Sequence, residues 1–261
     1  MKTMRALSIA PFAAELLTGP SRSGVGLGRG YILFNDDVLA LTRPGRPRMP
    51  NGIETQLRVK EREPATVGDG LLTTATDTLA IGALWNPRPL PRVALSLRPQ
   101  PKLQLEHLAG RGRGLTPLGD DILIGYLAAA ALSEDYEAAA ALAAQTSRDT
   151  SALSATLIKL AAGGALPEVA HHLLVDGDPE PLLHFGSSSG MGIAFGLGLF
   201  GIRSAEAATS ERIVPLGDFE LVINAPPDMD SESPNVESGR VPRRRSGGRC
   251  ADSQKTRRVV A

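Results

Sequence analysis

A single cysteine, Cys250, stands in a chain of 261 residues. No disulfide and no cysteine-built zinc site can form within one copy. That scarcity fits a reducing compartment, and a cytoplasmic protein is expected. Long hydrophobic runs are missing as well. The two most apolar stretches, residues 122–132 and 191–202, fall short of the roughly 20 residues a membrane-spanning helix needs. They predict buried helices and no membrane partner. Net charge is also absent, since 28 Lys and Arg balance 28 Asp and Glu. The balance is uneven along the chain. From Val236 onward eight bases face two acids, which leaves the body mildly acidic and excludes a general nucleic-acid surface there. The opening MKTMRALSIAPFAAELLTG carries two early bases and some apolar character, but Pro11 and Glu15 interrupt it. A surface helix or a strand followed by a helix is expected there, rather than a signal peptide.

What is present divides the chain. Short apolar clusters (YILF, VLAL, LLTTATDTLAI, VALSL) lie between Gly, Pro and Asn turn signals such as RPGRPRMPNG and WNPRPLP. Residues 1–105 are therefore expected to be β-rich. From residue 116 Ala and Leu dominate, and one long or two antiparallel helices fit residues 116–147. A further helix is expected over 151–162, ended by Gly163-Gly164. A short one is expected over 166–174, with Pro167 near its start. Residues 213–224 read as a late strand or hairpin. No solenoid repeat is present. The fold class is α+β: a β-rich N-terminal half packed on a mainly helical region, 106–225, that carries both glycine loops. From 226 to 261 Ser, Pro, Arg and Gly replace apolar residues, so burial cannot offset ordering entropy and a disordered basic tail is expected. Its PRRRSGGR leaves a basic address and a plain extension both open.

The stretch GRGRGLTPLGDDILIG, residues 110–125, places bare backbone, arginines and two carboxylates at one expected helix start. Thr116 is suited to cap the helix, and Pro117 to its first position. Glycines let backbone N–H groups approach a ligand, and the helix end adds partial positive charge. Together they suit phosphate or carboxylate, and Arg111 and Arg113 can add charge-assisted hydrogen bonds. Next to a bound phosphate, Asp120 and Asp121 would hold Mg²⁺ or orient a reacting amine. The helix dipole alone also favours acids there, and a glycine turn often merely joins a sheet to a helix. The residues by themselves leave both readings open. The spacing is neither a Walker A loop nor a dinucleotide fingerprint.

These residues resemble the GxGxGLTPxGDD signature of the oxamate carbamoyltransferase subunit family. The resemblance covers about residues 22–202. It implies that oxalurate and phosphate become oxamate and carbamoyl phosphate in purine or allantoin catabolism, with other subunits taking part. A second stretch, LLHFGSSSGMGIAFGLGLFG, residues 182–201, is similar to the family's Gly-His-Ser-Ser-Gly-x-Asp pattern. Gly186, Ser188, Ser189 and Gly190 match it. Ser187 stands where the histidine would be, Gly192 where the aspartate would be, and Leu118 where a serine is common. The expected catalytic or metal-holding residues are Asp120 and Asp121. The expected binding residues for a small anionic substrate are Gly112, Arg113, Gly114, Leu115, Thr116, Gly119, Gly186, Ser188, Ser189 and Gly190, the two loops meeting in one pocket. With three polar groups fewer than the family pattern, a non-catalytic anion-binding or assembly subunit is the alternative.

Two other patterns are present. Residues 186–190 satisfy the GxSxG elbow of α/β-hydrolases, but His107, His171, His172 and His184 all precede Ser188, and that fold needs a later histidine. His171 and His172 read as a helix-surface pair. Gly24, Gly26, Gly28 and Gly30 alternate, which fits either a ligand or chain approaching closely or a bent strand. Gly192 and Gly196 are four apart and predict a close helix contact.

Overall fold

The computed structural model describes residues 2–203 and 210–226, so the expected basic tail lies outside the described residues except for Pro226. The chain opens with β1 (Lys2–Arg5), β2 (Ser8–Ile9) and α1 (Pro11–Thr18). Pro11 stands in the first turn of α1, where its missing N–H has no helical partner to lose. Then follow β3 (Arg22–Gly28), β4 (Tyr31–Phe34), β5 (Asp37–Thr42), β6 (Gly52–Glu54), β7 (Pro64–Gly68), β8 (Leu71–Thr74), β9 (Asp77–Ala80) and β10 (Ala83–Leu84). These ten strands form one sheet in the order β1-β9-β8-β7-β3-β4-β5-β6-β2-β10. β1 stands at one end of that order and β2 beside the other, yet only Ala6 and Leu7 separate them. The sheet therefore curls until its ends meet. At the bend, Ala6 N–H donates to the Ala80 carbonyl (3.0 Å) and Leu7 N–H to the Glu54 carbonyl (2.8 Å).

Alternation along β4 and β5 feeds two cores. Ile32, Phe34 and Leu39 point into the curled sheet, where they meet Leu17, Leu72 and Leu79. Val38 points the other way, into the helical core, and Tyr31 and Leu33 pack against that core from its rim. The alternating glycines of β3 are crowded by their own chain. A side chain at Gly24 would overlap the Phe34 ring, and one at Gly26 would overlap the Lys60 carbonyl. Of the two readings open in the sequence, the bent strand holds at these positions.

The helical layer contains α2 (Leu118–Leu132), α3 (Tyr136–Thr146), α4 (Ala152–Ala161), α5 (Glu168–His171), α6 (Glu180–Leu183) and α7 (Ser189–Phe200). The long apolar run is thus two helices, separated where Glu134 takes a left-handed φ of 67°. α4 is capped by Ser151, whose Oγ accepts the Ser154 N–H (3.2 Å). α2 and α7 pack backbone to backbone. A side chain at Gly125 would overlap the Ile193 carbonyl, and one at Gly196 the Ile122 carbonyl. The close contact expected from Gly192 and Gly196 is made with α2. α7 also lies on a small sheet ordered β11-β13-β12, built from β11 (Ala94–Arg98), β12 (Ser210–Leu216) and β13 (Phe219–Ala225). This is the late hairpin, and its partner is a strand from the first half of the chain. The α+β class with a β-rich N-terminal half holds. No helix among the described residues is long and apolar enough to cross a membrane.

The expected short helix over 166–174 is α-helical only through α5 and then widens into a π-turn over His172–Asp176. The two histidines are not one surface feature. His171 is half-buried, stacked on Trp85 with ring centroids 5.8 Å apart. Its Nε2–H donates to the Pro87 carbonyl (3.3 Å), and burial holds its imidazole below the ordinary value. His172 is exposed and lies 3.3 Å from Asp176.

Candidate functional site

A cavity of about 460 Å³ lies where the β3–β4 turn meets the mouths of α2, α4 and α7. Both glycine loops line it, the first through Arg113, Gly114, Leu115 and Thr116, the second through Gly186, Ser187 and Ser189. The backbone N–H groups of residues 113–116 and of Gly186, Ser187 and Ser189 donate to no group among the described residues. They are left free for a ligand. Pro117 stands at the N-cap of α2 with no side-chain cap. Thr116 does not cap as expected, because its Oγ1 lies 3.2 Å from Ser189 Oγ and joins the two loops instead.

The two aspartates do different things. Successive residues on a helix point about 100° apart. Asp120 turns away from the cavity and is fully buried. One of its oxygens accepts the Gly110 N–H (2.7 Å) and the other accepts the Thr150 hydroxyl. It thereby ties the glycine loop, α2 and the approach to α4 together. Asp120→Ala leaves two part-buried donors without their acceptor and empties a buried site, and is expected to cost about 2 kcal/mol. Urea denaturation of wild type and variant measures this, and an unchanged midpoint would remove the clamp role.

Asp121 turns into the cavity and is 2% exposed. Its Oδ2 has no hydrogen-bond partner among the described residues. Burial pushes its carboxyl up to about 7, while the neighbouring Ser189 and Thr116 hydroxyls pull the other way and the Asp120 charge adds a smaller upward push. A carboxyl in that range exchanges protons readily near neutral pH.

The remaining expected residues divide between lining and packing. Arg113 lines the cavity, while Arg111 turns back toward the His107 carbonyl (3.4 Å). Gly112, Gly119, Ser188 and Gly190 are not on the wall. Side chains at Gly119 and Gly190 would overlap the Leu108 and Leu182 carbonyls, and the Gly190 N–H is already engaged by the Phe185 carbonyl (2.9 Å). These two glycines serve close packing. The departures from the family pattern face one another. A Cβ at Gly192 would stand 2.7 Å from Asp121 Cβ and 3.0 Å from Leu118 Cδ1, so this packing leaves no room for an aspartate there.

The cavity also gathers residues that the sequence reading did not assign. Arg29 comes from the β3–β4 turn, Tyr31 from the start of β4, and Met49 and Pro50 from the segment before β6. Arg29 has a left-handed φ of 54° between Gly28 and Gly30, at 78° and 87°. The GRG of GVGLGRG was the available signal. Among the described residues neither Arg29 nor Arg113 forms an ion pair, so two cations line one cavity without a carboxylate partner. Burial holds the Tyr31 phenol above its ordinary value, with Arg29 opposing.

Asp121 is the sole carboxylate on the wall, and no group of three or more His, Cys, Asp or Glu is placed to hold a metal among the described residues. Mg²⁺ prefers an octahedral shell of oxygens, commonly anchored by carboxylates. With Asp120 engaged elsewhere, the residues do not fit an ion held by the aspartate pair.

Residues 108–200 match the family model described as oxamate carbamoyltransferase subunit AllH. The matched segment runs from the first glycine loop through α7, and the resemblance of the two loops to that family holds over it. No match was found among curated proteins or among solved structures.

Proposed function

We propose that the chain is a subunit of an oxamate-carbamoyltransferase-like enzyme of purine or allantoin catabolism, acting in the cytoplasm with other subunits. Its cavity binds small anionic substrates on Arg29, Arg113 and the free N–H groups of the two loops. The observation that carries this reading is Asp121: buried, with no partner for Oδ2 among the described residues, and facing a cavity lined by two guanidinium groups that form no ion pair among them.

In the forward reaction a phosphate oxygen attacks the carbamoyl carbon of oxalurate. Loop N–H groups and arginines stabilise the oxyanion that develops. The carbon–nitrogen bond then breaks. The protonated Asp121 gives its proton to the departing nitrogen, which leaves as the amide of oxamate, and recovers a proton from the phosphate. No metal is needed for this proton balance, and positioning supplies most of the remaining effect.

Arg29→Ala and Arg113→Ala are each expected to weaken phosphate or oxamate binding about tenfold, the scale of one charge-assisted hydrogen bond. Calorimetry of the full chain at low salt reads this directly, and unchanged affinity in both variants would remove the anion-site reading. The second reading is a non-catalytic anion-binding or assembly subunit. Leu118 and Gly192 favour it, because apolar and bare surface stands beside Asp121 where the family pattern has polar groups. The assay that separates the two is phosphate-dependent oxalurate cleavage with candidate partner subunits.

A further inference from the structure

The cavity is graded along its helices. On α2, Asp121 is followed one turn later by Ile124. On α7, Ser189 is followed by Ile193. On α4, Leu153 is followed by Leu157. Each step is three or four residues, so each pair shares a helix face and is separated by roughly 4.5–6 Å along the axis. All six line the cavity. The loop side is open and carries Arg29, Arg113 and free N–H groups beside Leu115 and Phe185. The deeper side is apolar and closed, with Ile124 at 3%, Ile193 at 2% and Leu157 at 5% exposure.

Size points the same way. Oxalurate and a phosphate together have about fourteen heavy atoms, whereas cavities of roughly 300–1,000 Å³ accommodate drug-sized ligands. At about 460 Å³ the cavity falls within that range. Small flat anions on the loops would leave the apolar floor uncovered.

We infer that the cavity takes a ureido (N-carbamoyl) acid bearing a branched or ring-shaped apolar substituent, with its acid group on the loops and its substituent on the floor formed by Ile124, Leu157 and Ile193. The ureido part of this assignment rests on the carbamoyl-transfer reading above. The apolar part rests on the grading alone.

The test is a binding series on the full chain by calorimetry, using oxamate, N-carbamoylglycine, N-carbamoylvaline and N-carbamoylphenylalanine. Affinity is expected to rise by up to about fourfold per buried methylene, giving at least a tenfold gain from the glycine to the valine derivative. Leu157→Ala and the milder Ile193→Val should shrink that gain by more than they change oxamate binding. Equal affinity across the series would overturn this inference and leave the anion pocket intact. Binding by none of the four would overturn both. A graded series with no carbamoyl phosphate formed from oxalurate or from any of the N-carbamoyl acids, phosphate and partner subunits present, would sustain the apolar floor and overturn the transfer reading.

Discussion

Asp121→Asn is expected to lower turnover in the reconstituted assay by about 10²–10⁴-fold, with little change in KM, because it removes the transferable proton and keeps the shape. The same substitution is expected to stabilise the protein at alkaline pH. The sign follows from the raised carboxyl, from 3.8 to about 7. Below about pH 4 both folded and unfolded chains hold the proton, so the group has no differential effect. Between about 4 and 7 the unfolded carboxyl ionises while the folded one stays protonated. Stability then falls as pH rises, by up to about 1.4 kcal/mol per pH unit, and levels off above 7. Asparagine carries no such cost. Chemical denaturation at pH 5 and pH 8 should show the variant gaining on wild type at the higher value. A variant that keeps full turnover, or shows no pH-dependent gain, would remove Asp121 from its proposed role. An inactive protein that is more stable than its parent also distinguishes lost chemistry from lost folding.

The second large effect is structural. Gly196→Val is expected to destabilise the protein by about 3 kcal/mol or more, although helix propensity alone would favour valine over glycine by a few tenths of a kcal/mol. The reason is the Ile122 carbonyl and the Tyr126 N–H, which occupy the space a side chain would need. For a chain of this size the loss corresponds to a fall of roughly 6–12 °C in melting temperature. Differential scanning calorimetry would show it, and a melting temperature within a degree or two of wild type would mean that α2 and α7 can move apart. Because Asp121 and Ser189 sit at the mouths of these two helices, the altered spacing should also widen the cavity between them.

The sequence made the two loops legible for local reasons. Clustered glycines, hydroxyls and a proline beside apolar runs mark turns that lead into helices, and such turns leave N–H groups free. The late hairpin and the Gly192–Gly196 contact were legible on the same basis. The division of labour between Asp120 and Asp121 was not. Adjacent residues at a helix start differ only in rotation, and what decides which one faces inward is Gly110 N–H and the Thr150 hydroxyl, reached through tertiary packing. Thr116 was misread as a cap because its bond to Ser189 crosses between loops far apart in sequence. Arg29 was hidden for a similar reason: its turn meets the first loop only once the sheet has curled against the helices. The crowding at Gly119 and Gly190 likewise depends on neighbours' carbonyls, which no composition reveals.

The small sheet has a bearing on how the family match is used. β11 precedes the matched residues 108–200 and β13 follows them, yet the two strands lie side by side and carry Leu97 and Leu221, which cover Gly198 on α7. Both strands therefore cover the same face of α7. A fragment cut to the matched limits would lose them and leave the apolar back of α7 in water. The segment that carries the resemblance is therefore not a separable module, and fragment-based expression should keep at least residues 94–225 together.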